Sequence, residues 1–204
     1  MLQNRVDPSG NIIKTPARGA WMGNRGQLHD EQQQVLRPFK LKAWLTCLLH
    51  YKDRHRQVMA PNRYTELFFL DEVTAFAAGH RPCFECRRKD YDRFKAFWIT
   101  GNRKLGFDLN TSINEIDSVL HKERIGRKGE KITYKDKVKN LPEGVFVIIN
   151  DKPHLLANKQ AHPWTPAGYE TPVSLGESET VTVLTPRSMV NAFKAGYKPQ
   201  MAIN

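Results

Sequence analysis

Cysteine is scarce in this chain of 204 residues: there are three, Cys47, Cys83 and Cys86. Three thiols cannot all pair within one chain, which excludes a complete disulfide framework and turns a Cys-x-x-Cys spacing toward metal or redox chemistry. Also missing is any run of eighteen apolar residues, so neither a membrane-spanning helix nor a membrane partner is expected. Met1 to Pro8 is polar and broken by proline rather than a charged start leading into an apolar segment, which predicts a cytoplasmic protein. Internal repeats are absent. Acidic residues are few: 21 Asp and Glu stand against 32 Lys and Arg, a net charge of +11 that predicts attraction to polyanions, nucleic acid first.

Hydrophobic residues make up 40% of the chain, enough to bury a core and to exclude disorder throughout. The positive charge is blocked. Residues 36 to 63 carry seven Lys or Arg against one Asp, residues 81 to 104 eight against three acids, and residues 120 to 140 eight against three. The bland use of such surfaces is solubility. Three blocks, one flanking a pair of thiols, instead point to phosphate neutralisation, with DNA as the expected partner and Arg25, Arg81, Arg87, Arg88 and Lys128 as candidate contacts.

The first forty residues lack periodicity and hold four glycines, Gly10, Gly19, Gly23 and Gly26, so irregular chain is expected there. Ala43 to Tyr51 alternates, and with a turn at Lys52-Asp53-Arg54 leading into Arg56 to Met59 it predicts a β-hairpin. Asp71 caps a short helix ended by Gly79, and Pro82 is placed as the first residue of a helix carrying Phe84, Tyr91, Phe94, Phe97 and Trp98. These aromatics pack inward as core more readily than they stack on bases. Ser112-Ile113-Asn114-Glu115 is a capping box that opens a third helix through Ile125. Val145 to Ile149, Lys152 to Leu156 and Thr180 to Leu184 predict strands, and Thr185-Pro186 starts a last helix closed by Gly196. The basic stretch 121 to 140 is expected to be a linker or a DNA-facing loop. The fold class is therefore α+β: a domain of residues 1–140 with a β-hairpin and three helices, stabilised by zinc, and a small β-rich module of residues 141–204 ending in a helix.

The densest chemistry lies in Gly79-His80-Arg81-Pro82-Cys83-Phe84-Glu85-Cys86-Arg87-Arg88. Cys83 and Cys86 have the spacing of a zinc knuckle, half of a tetrahedral set. Cys47 is either a buried core thiol, since it shares a strand face with Leu45, Leu49 and Tyr51, or the third ligand. His50, His55, His80 and His121 are the imidazoles available to complete the site. A zinc deaminase is disfavoured: Pro82-Cys83-x-x-Cys86 matches half of its signature, but His121-Lys122-Glu123 follows in reversed order, and residues two apart on a helix diverge by about 200°. A thioredoxin-like role is disfavoured because the thiols follow a helix and loop, not a βαβ strand.

This segment resembles the second half of the zinc domain of Ada-type DNA-repair proteins, which accept a methyl group from methylated DNA phosphates. The resemblance runs over residues 66 to 88, on Phe68-Phe69, Asp71 to Ala78, Gly79, Arg81-Pro82-Cys83 and Cys86. It implies a zinc-bearing, DNA-associated scaffold. In that family two further cysteines precede the paired aromatic by roughly a dozen residues, whereas Lys52 to Arg56 here contains none.

Two other clusters are candidates for acid/base work. Glu123 falls within the apolar sector of Ile116, Val119 and Leu120, where a carboxylate must pair or become harder to ionise, while Asp117, His121 and Arg124 line a polar flank. The bland alternative is a glutamate that bends to solvent or pairs with a nearby Arg. His29 beside Asp30, in the loop from Gly23 to Asp30, has the makings of a base or metal ligand. Three expectations follow: a zinc protein recognising or processing damaged or modified DNA, which the resemblance implies; a nuclease or nucleobase hydrolase built on His29, Asp30, His121 and Glu123; or a non-enzymatic adaptor.

Overall fold

The computed structural model describes residues 1–53 and 57–203. The described chain is α+β, with two six-stranded sheets and four α-helices. The first sheet is built from β1 (Gln3–Val6), β2 (Ile12–Lys14), β3 (Trp21–Asn24), β4 (Leu45–Cys47), β5 (Leu67–Phe69) and β6 (Arg81–Pro82), in the order β2-β1-β5-β3-β4-β6. Helix α1 (Glu72–Ala77) links β5 to β6, and α2 (Arg88–Asn102) and α3 (Ile113–Arg124) follow. The second sheet holds β7 (Tyr134–Lys137), β8 (Phe146–Ile149), β9 (Lys152–Ala157), β10 (Gln160–Thr165), β11 (Gly168–Tyr169) and β12 (Thr180–Val183), in the order β11-β10-β9-β8-β12-β7. Helix α4 (Arg187–Lys194) closes the chain.

The caps act as expected. Asp71 accepts from the Thr74 amide at 3.0 Å, Gly79 leaves α1 with φ +86°, and Ser112 and Glu115 form a reciprocal capping box. Tyr91, Phe94 and Trp98 on α2 are buried, and Ile116 and Leu120 of α3 join Phe94 and Trp98 with Val145, Val147, Val181, Met189 and Phe193 in the largest apolar cluster. That cluster draws on both sides of residue 140.

Four expectations change. The N-terminal stretch is not irregular, because it supplies β1, β2 and β3. Its glycines serve close packing: a Cβ on Gly23 would meet the Phe69 ring at 2.3 Å, and one on Gly19 the Phe69 carbonyl oxygen at 2.5 Å. The expected hairpin is not formed by Leu45–Cys47, which pairs instead with β3 and with β6; residues 58 and 59 lie in a turn, and Arg54 to Arg56 fall outside the described residues. Alternation marks a strand and its faces but not its partner. Pro82 belongs to β6 rather than to a helix, and α2 begins only at Arg88. Finally, Tyr134–Lys137 in the basic stretch is an edge strand paired with β12 from Thr180↔Lys137 to Val183↔Tyr134, not a linker.

Candidate metal centre

The thiols meet because of a parallel strand pair. Leu45 lies opposite Arg81 and Thr46 opposite Pro82, so the next residue on each strand, Cys47 and Cys83, comes out level at the same end. The Cys83 amide donates to the Thr46 carbonyl at 2.9 Å and locks that register. Beyond Cys83 the chain makes a tight turn, with the Arg87 amide donating to the Cys83 carbonyl at 3.1 Å, and this turn swings Cys86 back to the other two. The three sulfurs lie within 4.8 Å of one another, and all three cysteines are free.

The surroundings favour thiolate at Cys83. Backbone amides of Glu85 and Cys86 donate to the Cys83 sulfur, and the Leu48 amide donates to that of Cys86, the pattern by which knuckle loops orient sulfur ligands. Hydrogen bonds from Cys47 and then Cys86 pull the Cys83 thiol down to about 2. The same contacts, with burial, push Cys47 up. The three thiols are thus coupled, and ionising one makes its neighbours hold their protons more tightly. A divalent cation replaces those protons, so the donor set fits a soft or borderline metal ion.

The cluster is braced from below. Arg87 donates to Thr46 Oγ1 of β4 at 2.5 Å, to Asp90 of α2 and to Glu72 of α1, with its guanidinium 4.0 Å from the Trp21 ring. Arg81 makes a bidentate pair with Asp117 of α3, both bonds 2.7 Å. The guanidinium forks of Arg81 and Arg87 are thus occupied within the protein. Above the sulfurs opens a cleft of about 510 Å³ lined by Leu48, His50, Tyr51, Tyr64 and Phe68 together with the three cysteines. Tyr51 Oη donates to the Glu85 carbonyl at 3.0 Å and ties the cleft wall to the knuckle turn. Among the described residues no His, Asp or Glu joins the three sulfurs as a fourth donor; His55 lies outside those residues.

The remaining candidates are scattered. His29 is buried, with Nδ1 2.6 Å from Thr65 Oγ1 and Nε2 3.2 Å from the Ala60 carbonyl, and Asp30 accepts from the Gln34 amide. His121 lies edge-on to Phe39 with Nδ1 3.1 Å from Arg124. Glu123 accepts from the amide and hydroxyl of Ser188, at 3.0 and 2.6 Å, and so caps α4. Among the described residues no hydrogen bond or ion pair joins His29 or Asp30 to His121 or Glu123. Of the candidate nucleic-acid contacts, Arg88 and Lys128 are exposed, Arg88 pairing with Asp92 at 2.9 Å, whereas Arg25 is fully buried. His80 is also buried and turned away from the thiols, with Nε2 accepting from Arg25 Nε at 3.1 Å.

Sequence reasoning left Cys47 undecided between core and ligand, and only the strand pairing resolves its position. It did not foresee Tyr64 and Phe68 in the cleft wall, since Phe68 was read only as part of the paired aromatic of the resemblance and a lone Tyr64 carries no functional pattern. Among the described residues no helix is long and apolar enough to cross a membrane. No family model, curated protein or solved structure matches the chain.

Proposed function

We propose that the protein is a zinc-binding, cytoplasmic protein that recognises damaged or modified DNA, with the cleft above the thiols receiving the altered nucleotide. The observation that carries the metal is the convergence of Cys47, Cys83 and Cys86 within 4.8 Å under amide donors. Cys47, Cys83 and Cys86 would hold a zinc ion as three thiolates, leaving one of its four usual positions for a further ligand. The cleft suits a base drawn out of a stack: its volume is in the range of small-ligand sites, and Tyr51, Tyr64 and Phe68 line it. The net charge of +11 and the exposed Arg88 and Lys89 beside the knuckle support a polyanion partner. The likeness of residues 66 to 88 to the Ada-type zinc domain points the same way.

A second reading, a metal-dependent nuclease or nucleobase hydrolase, draws on one observation: three protein donors beside a cleft is the ligand count of catalytic rather than structural zinc.

Elemental analysis of purified protein is expected to find one zinc per chain, lost in Cys83→Ser along with part of the thermal stability. Zinc uptake is also expected to weaken as pH falls, because the thiols must shed protons to bind. DNA affinity is expected to fall steeply with salt, each phosphate contact adding about 0.9 to the logarithmic slope, and Arg88→Glu with Lys89→Glu should lower that slope. A zinc-free native protein, or no retention on DNA at low salt, refutes the proposal. Turnover of a modified or single-stranded DNA by the zinc form alone favours the second reading.

A further inference from the structure

On a different part of the surface, sharing no lining residue with the thiol cleft, a pocket of about 360 Å³ is walled by Gly10, Arg25, Trp44, Arg124 and Lys131, with Arg37 beside them. Arg25 is wholly buried: Nε donates to His80, and Nη1 to the carbonyls of Gly10 and Pro38, but Nη2 has no partner. Arg124, also buried, donates from Nη1 to the Gly79 carbonyl at 2.8 Å and from Nη2 to the Lys42 carbonyl at 2.6 Å, leaving Nε unpartnered. Both guanidinium groups lie 3.9 Å from the centre of the Trp44 ring. Lys131, partly exposed along its chain, sends its ammonium inward to the Ala77 carbonyl at 2.5 Å.

Three cationic side chains thus line one pocket, and among the described residues no carboxylate forms an ion pair with any of them; Asp7, which acts on Arg25 and Lys131, is engaged with Asn11, and Asp117, which acts on Arg124, pairs with Arg81. Buried charge of one sign is costly unless a counter-charge neutralises it. The strain shows in their acidities: burial lowers Arg25 to about 9, Arg124 to about 8 and Lys131 to about 7, with Arg25 further lowering the other two. Unused guanidinium N–H donors from two side chains suit the tetrahedral oxygens of a phosphate better than the flat edge of a carboxylate, and Ile12 and Trp44 add an apolar wall.

We propose that this pocket binds the phosphate monoester of a small ligand, in the manner of a mononucleotide, with Arg25, Arg124 and Lys131 neutralising the dianion. Arg25 and Arg124 are buried and the Lys131 ammonium turns inward, unlike the exposed lysines and arginines that meet a duplex backbone. The test is calorimetric titration of the full chain at fixed ionic strength with inorganic phosphate, with a 5′-mononucleotide, and with a 5′-hydroxyl oligonucleotide that carries only internal diesters. Saturable binding of inorganic phosphate is expected, with equal or tighter binding of the mononucleotide and no displacement by the oligonucleotide. Arg124→Gln and Lys131→Met are each expected to weaken phosphate binding about tenfold or more. If Arg124→Gln does not fold, Lys131→Met decides, since that side chain makes one bond from a partly exposed position. Absence of phosphate binding to folded protein, unchanged affinity in a folded Lys131→Met, or displacement by the oligonucleotide overturns the assignment.

Discussion

Glu123 illustrates how a residue's chemistry depends on what it meets. Its place on α3 marks it as a carboxylate within an apolar sector, and burial does raise its proton affinity, partly offset by the hydrogen bonds from Ser188. A carboxyl whose folded pKa is raised contributes stability that is complete below the unfolded value and is lost as pH rises through the folded one. Urea midpoints measured from pH 4 to pH 8 are therefore expected to drop with rising pH more in the parent protein than in Glu123→Gln, whose amide oxygen still accepts from Ser188. Equal pH profiles would show that Glu123 ionises as it would in water. The arginines teach a related lesson: charge counted along the chain puts Arg81, Arg87 and Arg88 in one basic block, yet two are buried in ion pairs with Asp117 and Glu72 and only Arg88 faces solvent.

Among the elements, those with local signals were legible. Asp71, the Ser112 capping box, Gly79 and Gly196 mark their helix ends by short-range hydrogen bonds and left-handed φ, which need no tertiary context. Of the short strands of the first sheet only β4 was legible, because three residues such as Ile12–Lys14, or four broken by Gly23, have no periodicity to read. Helices α2 and α4 meet at Gly101, where an added Cβ would lie 2.2 Å from the Asn191 carbonyl oxygen, while Asn102 and Asn191 bond side chain to side chain at 2.9 Å beside it. Gly101→Ala would gain helix propensity but must push backbone from backbone, and overpacking of this kind costs about 1–3 kcal/mol. A lowered urea midpoint is expected; a raised one would mean that α4 yields without loss.

At the scale of the molecule, helices α1 and α2 are joined to the second sheet and α4 by more than chain continuity. Phe76, Phe94 and Trp98 share a cluster with Val147, Val183, Met189 and Phe193, and the buried Asp71 carboxylate takes the Tyr169 hydroxyl at 2.7 Å and the Ala202 amide at 2.9 Å. Burying apolar surface jointly couples the unfolding of the parts that share it. Calorimetry on protein with its metal content held constant is expected to show a single transition with matching calorimetric and van't Hoff enthalpies, and two separated transitions would contradict it.

Sequence alone determined the quantities that composition and neighbours set: an α+β chain of net charge +11, the four helices within a few residues of their ends except at the start of α2, and Cys83 with Cys86 at knuckle spacing. Each follows from bonds spanning a handful of residues. Tertiary structure alone decided which sulfur completes the cluster, which cations are left without counter-charge, and where the acid/base candidates go. Those outcomes depend on pairings such as Thr46 with Pro82 or Arg124 with Gly79, made between residues 36 and 45 apart in the chain. Contacts at that separation arise from competition among all possible burials, and no local pattern of residues records which one wins.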